Sequence, residues 1–182
     1  ALVPTLISEG DVVRRNELNH ASIIDACRLC KKSVKRLVYR HNDMNDLKKC
    51  LEQVKDVKKK LIITDGVFSM EGDLADLPDI VSLAKKYNAL VAVDDSHAHG
   101  VIGKTGKGTP EHFGVSVDIV TGTLGKALGG AAGGFVAAPK SIIEFLVQRS
   151  TPQLCSNALP PSTAASATKA INIAYEETDR IT

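Results

Sequence analysis

Thr121-Gly122-Thr123-Leu124-Gly125-Lys126-Ala127-Leu128-Gly129-Gly130 follows directly on the apolar run Val117 to Val120. A short, uninterrupted apolar run ending in a glycine turn reads as a strand covered on both faces. A lysine placed among glycines at such a strand end is a poor surface lysine. Gly125 and Gly129-Gly130 imply close backbone approach, and so a buried Lys126. Burial disfavours the ammonium form and leaves more free amine, the form that makes an imine with a carbonyl compound.

Working outward, five more apolar runs read as strands: Val12-Val13, Arg36 to Tyr39, Lys60 to Thr64, Leu90 to Asp94 and Gly134 to Ala138. Helical patterns lie between them at Ala21 to Cys30, Asn45 to Lys55, Leu77 to Tyr87 and Pro139 to Gln148, with an alanine-rich helix over Ser162 to Ile173. Ala1 to Ile7 reads as the tail of another helix. Asn42 or Asn45 is a candidate cap for the second helix, and Pro139 suits a first helical turn. The alternation predicts an α/β fold of three layers around a mostly parallel sheet. Ligands of such sheets bind beyond the carboxyl ends of the strands. Thr64-Asp65, Asp94 to His97 and Thr121 to Lys126 all fall at such ends.

The chain of 182 residues is long enough for one domain with a substantial core. Hydrophobic content of 43% and charged content of 24% are ordinary for a globular protein, and a net charge of +2 makes no case for nucleic acid. Lysine pairs such as Lys31-Lys32 and Lys48-Lys49 read as solvated helix faces and ends. Cys27, Cys30, Cys50 and Cys155 do not make a disulfide framework, and Cys27-x-x-Cys30 lies in an apolar helical pattern where cysteine is a small buried hydrophobe. Reduced thiols and the lack of a transmembrane-length apolar run suit a cytoplasmic protein, or a mitochondrial one from a eukaryote.

Asp94-Asp95-Ser96-His97 puts an acid and an imidazole at one strand end, while Lys126 sits at another. That combination suits pyridoxal phosphate, whose pyridinium nitrogen pairs with an acid and whose aldehyde is held by a lysine. Adjacent strand residues point opposite ways, so one of Asp94 and Asp95 faces the ring and the other is expected to hydrogen-bond the backbone or a helix end. Two other readings compete. Gly103-Lys104-Thr105-Gly106-Lys107-Gly108 has the flavour of a phosphate loop but lacks its first glycine, the preceding positions holding Ala98 and Val101. Asp94, His97 and His99 would also serve as metal ligands, with both imidazoles on one side of an extended strand. The metal reading leaves the glycine-flanked lysine without a role.

Asp65-Gly66-Val67-Phe68-Ser69-Met70-Glu71-Gly72, Val93-Asp94-Asp95-Ser96-His97-Ala98, the lysine motif and Leu18-Asn19-His20-Ala21-Ser22 together resemble the α-oxoamine synthases. These are fold-type I pyridoxal phosphate enzymes that join an amino acid to an acyl-CoA. The resemblance runs in order from about Gly10 to Asn172 and is nearest the 2-amino-3-oxobutyrate CoA ligase branch. It implies that glycine and acetyl-CoA are the substrates, in threonine breakdown, with 8-amino-7-oxononanoate synthesis as the alternative. By the resemblance Lys126 carries the cofactor and moves the substrate α-proton. Asp94 faces the pyridinium nitrogen, His97 the phenolic oxygen, Ser69 the ring and Thr123 the phosphate. His20 stacks on the ring and orients the substrate. Ser156 and Asn157 reach the phosphate of the other subunit of a homodimer. Asn16 stands where the family carries an acid, and Cys155 where it carries an aromatic. The resemblance also implies that residues 1–182 form the central part of the cofactor-binding large domain, with the opening strand and the small C-terminal domain outside it, and that this piece alone is catalytically inert.

Overall fold

The computed structural model describes residues 1–129 and 132–177, so Gly130 of the lysine motif lies outside the described residues. Among them, β1 (Val12–Asn16), β2 (Lys35–Tyr39), β3 (Lys60–Asp65), β4 (Leu90–Asp94), β5 (Ile119–Thr123) and β6 (Gly134–Ala137) form one sheet in the order β2-β1-β3-β4-β5-β6. The first five strands are parallel and β6 is antiparallel to β5. The helices are α1 (Leu2–Leu6), α2 (Ala21–Arg28), α3 (Met44–Glu52), α4 (Leu77–Tyr87), α5 (Thr109–Phe113), α6 (Lys140–Arg149), α7 (Thr151–Cys155) and α8 (Pro161–Glu176).

Side-chain alternation along the strands builds a core on each face of the sheet. Val13, Leu61, Ile63, Ala92 and Ile119 pack against Val3 and Leu6 of α1, Ile23 and Cys27 of α2, and Leu146 of α6. Ile62, Val91, Val93 and Tyr39 pack against Leu47 and Leu51 of α3 and Leu77, Ile80 and Ala84 of α4. β3 is buried from end to end, as a central strand covered on both faces must be. Truncating Leu61 or Ile62, both wholly buried, to alanine would cost about 2–5 kcal/mol.

The order of the strands fixes where a ligand can sit. The chain leaves β1 for α2 on one face and leaves β3 for α4 on the other, so a crevice opens between their carboxyl ends.

Asp43 caps α3, its carboxylate accepting the Asp46 N–H at 2.9 Å, in place of the expected Asn42 or Asn45. Asn42 is occupied elsewhere: it takes a left-handed φ of 48° and donates its amide to the Leu74 carbonyl at 3.0 Å. Asp76 caps α4, and Asn88, at φ 51°, ends it. The short α5 and α7 carry too few residues to show a helical period in sequence. β1 runs on past Val13 through Arg14-Arg15-Asn16, because ladders on both sides supply its hydrogen bonds whatever the side chains are.

That extension buries Arg14 completely. Its Nε and one terminal nitrogen donate to the Cys50 carbonyl, in the last turn of α3, at 3.3 and 3.2 Å. The other terminal nitrogen has no partner, and no carboxylate lies within ion-pair distance among the described residues. Burial pulls the guanidinium down from its ordinary 12.5 to about 10. Cys27, Cys30 and Cys50 are buried free thiols, and burial pushes Cys27 up to about 11, away from reactivity. No helix among the described residues is long and apolar enough to cross a membrane.

Candidate active site

The carboxyl ends of β1, β3, β4 and β5 carry the polar groups. After β1 the chain turns through Asn19 into His20, the N-cap of α2. His20 Nδ1 accepts the Ser22 N–H at 3.2 Å, and the ring is otherwise exposed. Asp65, at the end of β3, reaches across the crevice. One of its oxygens accepts both the Asn19 side-chain amide and the His20 backbone N–H, each at 2.8 Å. Burial raises the Asp65 carboxyl above its ordinary value; these two bonds oppose the rise, and nearby Asp94 adds to it.

Asp94 is the register partner of Asp65 on one side and of Thr121 on the other. It accepts the Thr121 hydroxyl at 2.7 Å and the Ser96 N–H at 3.1 Å, and stays half-buried at the crevice floor. Asp95 points the other way into the fold, where its carboxylate accepts the Thr109 N–H at 2.8 Å and hydroxyl at 2.6 Å at the start of α5. A Cβ on Gly66 or Gly108 would collide with that carboxylate.

His97 Nε2 lies 2.9 Å from the Lys126 Nζ. Burial lowers the His97 imidazole below its ordinary value, and the Lys126 ammonium lowers it further. Lys126 itself is exposed, against the expected burial. It rides on a bend whose flanks, Gly125 and Gly129, have no side chains to cover it. Gly129 is there for its left-handed backbone, φ +67°, and has open space around it. The close approach falls at Gly122 instead, where a Cβ would stand 2.7 Å from the Phe135 ring and 2.8 Å from His99 Nδ1. Thr123 donates to the Gly133 carbonyl and accepts the Gly125 N–H, both at 3.2 Å, which ties the two ends of the lysine loop.

The structure thus gathers Asp94, His97 and Lys126, with His20 held to the same crevice through Asp65. It does not join the remaining expected residues to them by hydrogen bonds. Ser69 is exposed on the turn after β3. Ser156 and Asn157, exposed after α7, line a separate cavity of about 830 Å³ with Thr121, Gly122 and Phe135. The metal reading fails. Residues 95–101 form a turn, not an extended strand, and His99 turns away to the Asp95 carbonyl, 2.9 Å off, with its ring edge on Phe135. No group of three or more His, Cys, Asp or Glu side chains among the described residues could hold a metal ion. Sequence reading placed Asp65 and Thr121 at strand ends without giving them a task, and gave Asn19 none; polar residues ending neighbouring strands were the available signal.

A doubly wound α/β fold with a lysine, an imidazole and a carboxylate at adjoining strand ends defines the class of this protein. The chain belongs to the aminotransferase class I and II family, which it matches over residues 1–181. It is 50% identical over 183 residues to the 8-amino-7-oxononanoate synthase of Thermosipho melanesiensis, covering all of this chain and 46% of that protein. It is 49% identical over 177 residues to the mitochondrial 2-amino-3-ketobutyrate coenzyme A ligase of Mus musculus, covering 96% of this chain and 42% of that protein. Among solved structures it resembles the serine palmitoyltransferase of S. paucimobilis, which holds PLP, at a TM-score of 0.91 and 34% identity over 97% of this chain and 44% of that one. The chain therefore spans less than half the length of these relatives. They are α-oxoamine synthases, so the resemblance drawn from the motifs is borne out, as is the α/β fold.

Proposed function

We propose that this chain is the cofactor-binding core of a pyridoxal phosphate-dependent α-oxoamine synthase. The observation that carries the reading is the 2.9 Å approach of Lys126 to His97 beside Asp94 and Thr121. When bound, the cofactor supplies an electron sink for the carbanion at the substrate α-carbon. The residues present fit it. The Lys126 amine is open to an aldehyde and is held by an imidazole. Asp94, fixed by Thr121 and Ser96, offers a carboxylate to a pyridinium nitrogen. His97 offers its ring to a phenolic oxygen, and Thr123 would offer its hydroxyl to a phosphate on releasing the Gly133 carbonyl. His20, its ring exposed, is assigned to orient the substrate, and the Lys126 amine takes the α-proton. Ser69 completes the ring contacts, while Ser156 and Asn157 serve the phosphate of a second subunit in a homodimer.

Of the family reactions, the relatives favour 8-amino-7-oxononanoate synthesis over the glycine and acetyl-CoA reaction that the motifs first suggested, since several bacterial enzymes of that name match at 48–50% identity. The product's name gives the chemistry. A nine-carbon acid with a ketone at C7 and an amine at C8 disconnects into a seven-carbon dicarboxylic acyl thioester and alanine. The new bond joins the acyl carbon to the amino acid α-carbon, and thiol and carbon dioxide leave. The similarity to the mouse ligase keeps glycine with acetyl-CoA as the second reading.

The test is spectroscopic first. Pyridoxal phosphate added to the protein should give a new visible band, and borohydride followed by peptide mapping should place the pyridoxyl group on Lys126. Label on another lysine overturns the site. In the enzyme of which this chain is the core, thiol release with alanine and a seven-carbon dicarboxylic acyl thioester, compared with glycine and acetyl-CoA, decides between the substrates.

A further inference from the structure

Next to the candidate site, and outside every role assigned above, three segments meet on one imidazole. His41 follows β2 and is largely enclosed, its side chain 19% exposed. Its Nε2 lies 2.7 Å from Asp73 Oδ2, on the turn after β3. Its Nδ1 lies 3.2 Å from Asn16 Oδ1, at the end of β1. The Asn16 atom is fixed as the carbonyl oxygen, because it also accepts the Leu18 N–H at 3.0 Å. Both ring nitrogens therefore face oxygen atoms, and the nitrogen that carries the proton donates to the oxygen it faces. Its edge stands at 90° to the Phe68 ring, with centroids 4.5 Å apart. The His41 backbone N–H donates to Glu17 at 2.7 Å, and Asn42 adds a bond to Asp73 at 3.2 Å.

The two segments tied by this ring are the two that lead to His20 and Ser69. The first is the turn Asn16 to His20, whose far end is pinned to Asp65. The second is the loop from Val67 to Leu74, closed at its base by a bridge between those two residues and by Gly72 N–H to Phe68 carbonyl at 2.7 Å. Ser69 rides on it with Met70, which is 89% exposed. Asp65, at the root of that loop, thus holds the far end of the turn, while His41 ties the turn's near end to the loop.

We propose that His41 is a positioning residue: it locks the His20 turn to the Ser69 loop so that both present to one ligand together. The proposal rests on the reading of His20 and Ser69 as cofactor contacts, but its first test does not. Hydrogen exchange read by mass spectrometry on the protein without cofactor compares wild type with His41→Phe, His41→Gln and Asp73→Asn. His41→Phe keeps a flat ring against Phe68 and removes both ring nitrogens. His41→Gln restores one polar nitrogen. Asp73 is half-exposed, so its conversion to Asn removes the charge without disturbing the core.

Peptides spanning residues 16–22 and 66–75 should exchange about tenfold faster together in His41→Phe, the scale of one lost charge-assisted hydrogen bond. His41→Gln and Asp73→Asn should lie between it and wild type, with the urea midpoint falling by less than about 0.7 M. With pyridoxal phosphate added, the absorption band of His41→Phe should shift and its affinity fall, while label still maps to Lys126. Acceleration of only one segment, or of neither, overturns the lock. Coupled acceleration with no spectral change overturns its role in presenting ligand. Absence of Lys126 label in wild type would remove the cofactor reading and leave the exchange result to judge the lock alone.

Discussion

Replacing Arg14 with methionine should stabilise this protein. The guanidinium is wholly buried and has no carboxylate within ion-pair distance among the described residues. The fall of its pKa from 12.5 to about 10 corresponds to a penalty of about 3 kcal/mol for holding the cation in the fold. Against this, Arg14 supplies two hydrogen bonds to the Cys50 carbonyl, and leaving that carbonyl bare costs about 1–2 kcal/mol. Methionine fills a similar volume and adds no polar atom, so the balance is a gain of about 1–2 kcal/mol, as when buried ions elsewhere give way to apolar side chains. With a urea slope of about 2 kcal/mol per molar, the midpoint should rise by about 0.5–1 M. Arg14→Lys should do the opposite, keeping the buried charge and losing the fork. Arg14→Ala should also destabilise, because it opens a cavity. A lower midpoint for Arg14→Met would refute the reasoning, since it would mean that the interior satisfies the charge.

Lys126→Ala should abolish pyridoxyl labelling after borohydride, and, by removing the neighbouring ammonium, should raise the titration midpoint of His97 followed by NMR. An unmoved midpoint would mean that burial alone sets it. Because His97 is lowered in the fold, the unfolded chain takes up its proton first, so stability falls as pH drops below the ordinary imidazole range; His97→Gln should flatten that slope in urea titrations. Asp94→Asn should cut turnover of the loaded enzyme by ~10²-fold or more, the scale of losing one preorganised electrostatic partner, with Asp95→Asn costing stability rather than chemistry; equal small effects would sink the assignment. Gly122→Ala should lose binding and stability together, because its methyl meets Phe135 and His99, and a neutral result by calorimetry would contradict the packing.

Much of this architecture is written in short-range pattern. The strand runs at Lys60, Leu90 and Gly134 and the helix at Leu77 to Tyr87 follow from uninterrupted or periodic apolar residues, and the strand ends mark the crevice. What escapes is set by partners far off in sequence. β1 continues through Arg14 and Asn16 because β2 and β3 flank it, and no local propensity calls for a strand there. The bond from Asp65 to His20 and that from His41 to Asp73 span 45 and 32 residues, and nothing at either end announces the other. Lys126 is exposed for a simpler reason. Glycines permit close approach but cover nothing, so a lysine flanked by them is hidden only if other side chains reach over it.

His20, Asp65, Asp94 and Lys126 sit at the ends of four different strands, and no two of them share a hairpin. Each joins the others only after the sheet has zipped in correct register across β1, β3, β4 and β5. Contacts of such sequence separation form late, because closing each loop costs entropy before the pairing repays it. The ligand therefore reports on completion of the entire sheet. During refolding from urea, recovery of the cofactor band should lag behind recovery of helical circular dichroism, and colour should return in step with the last cooperative phase.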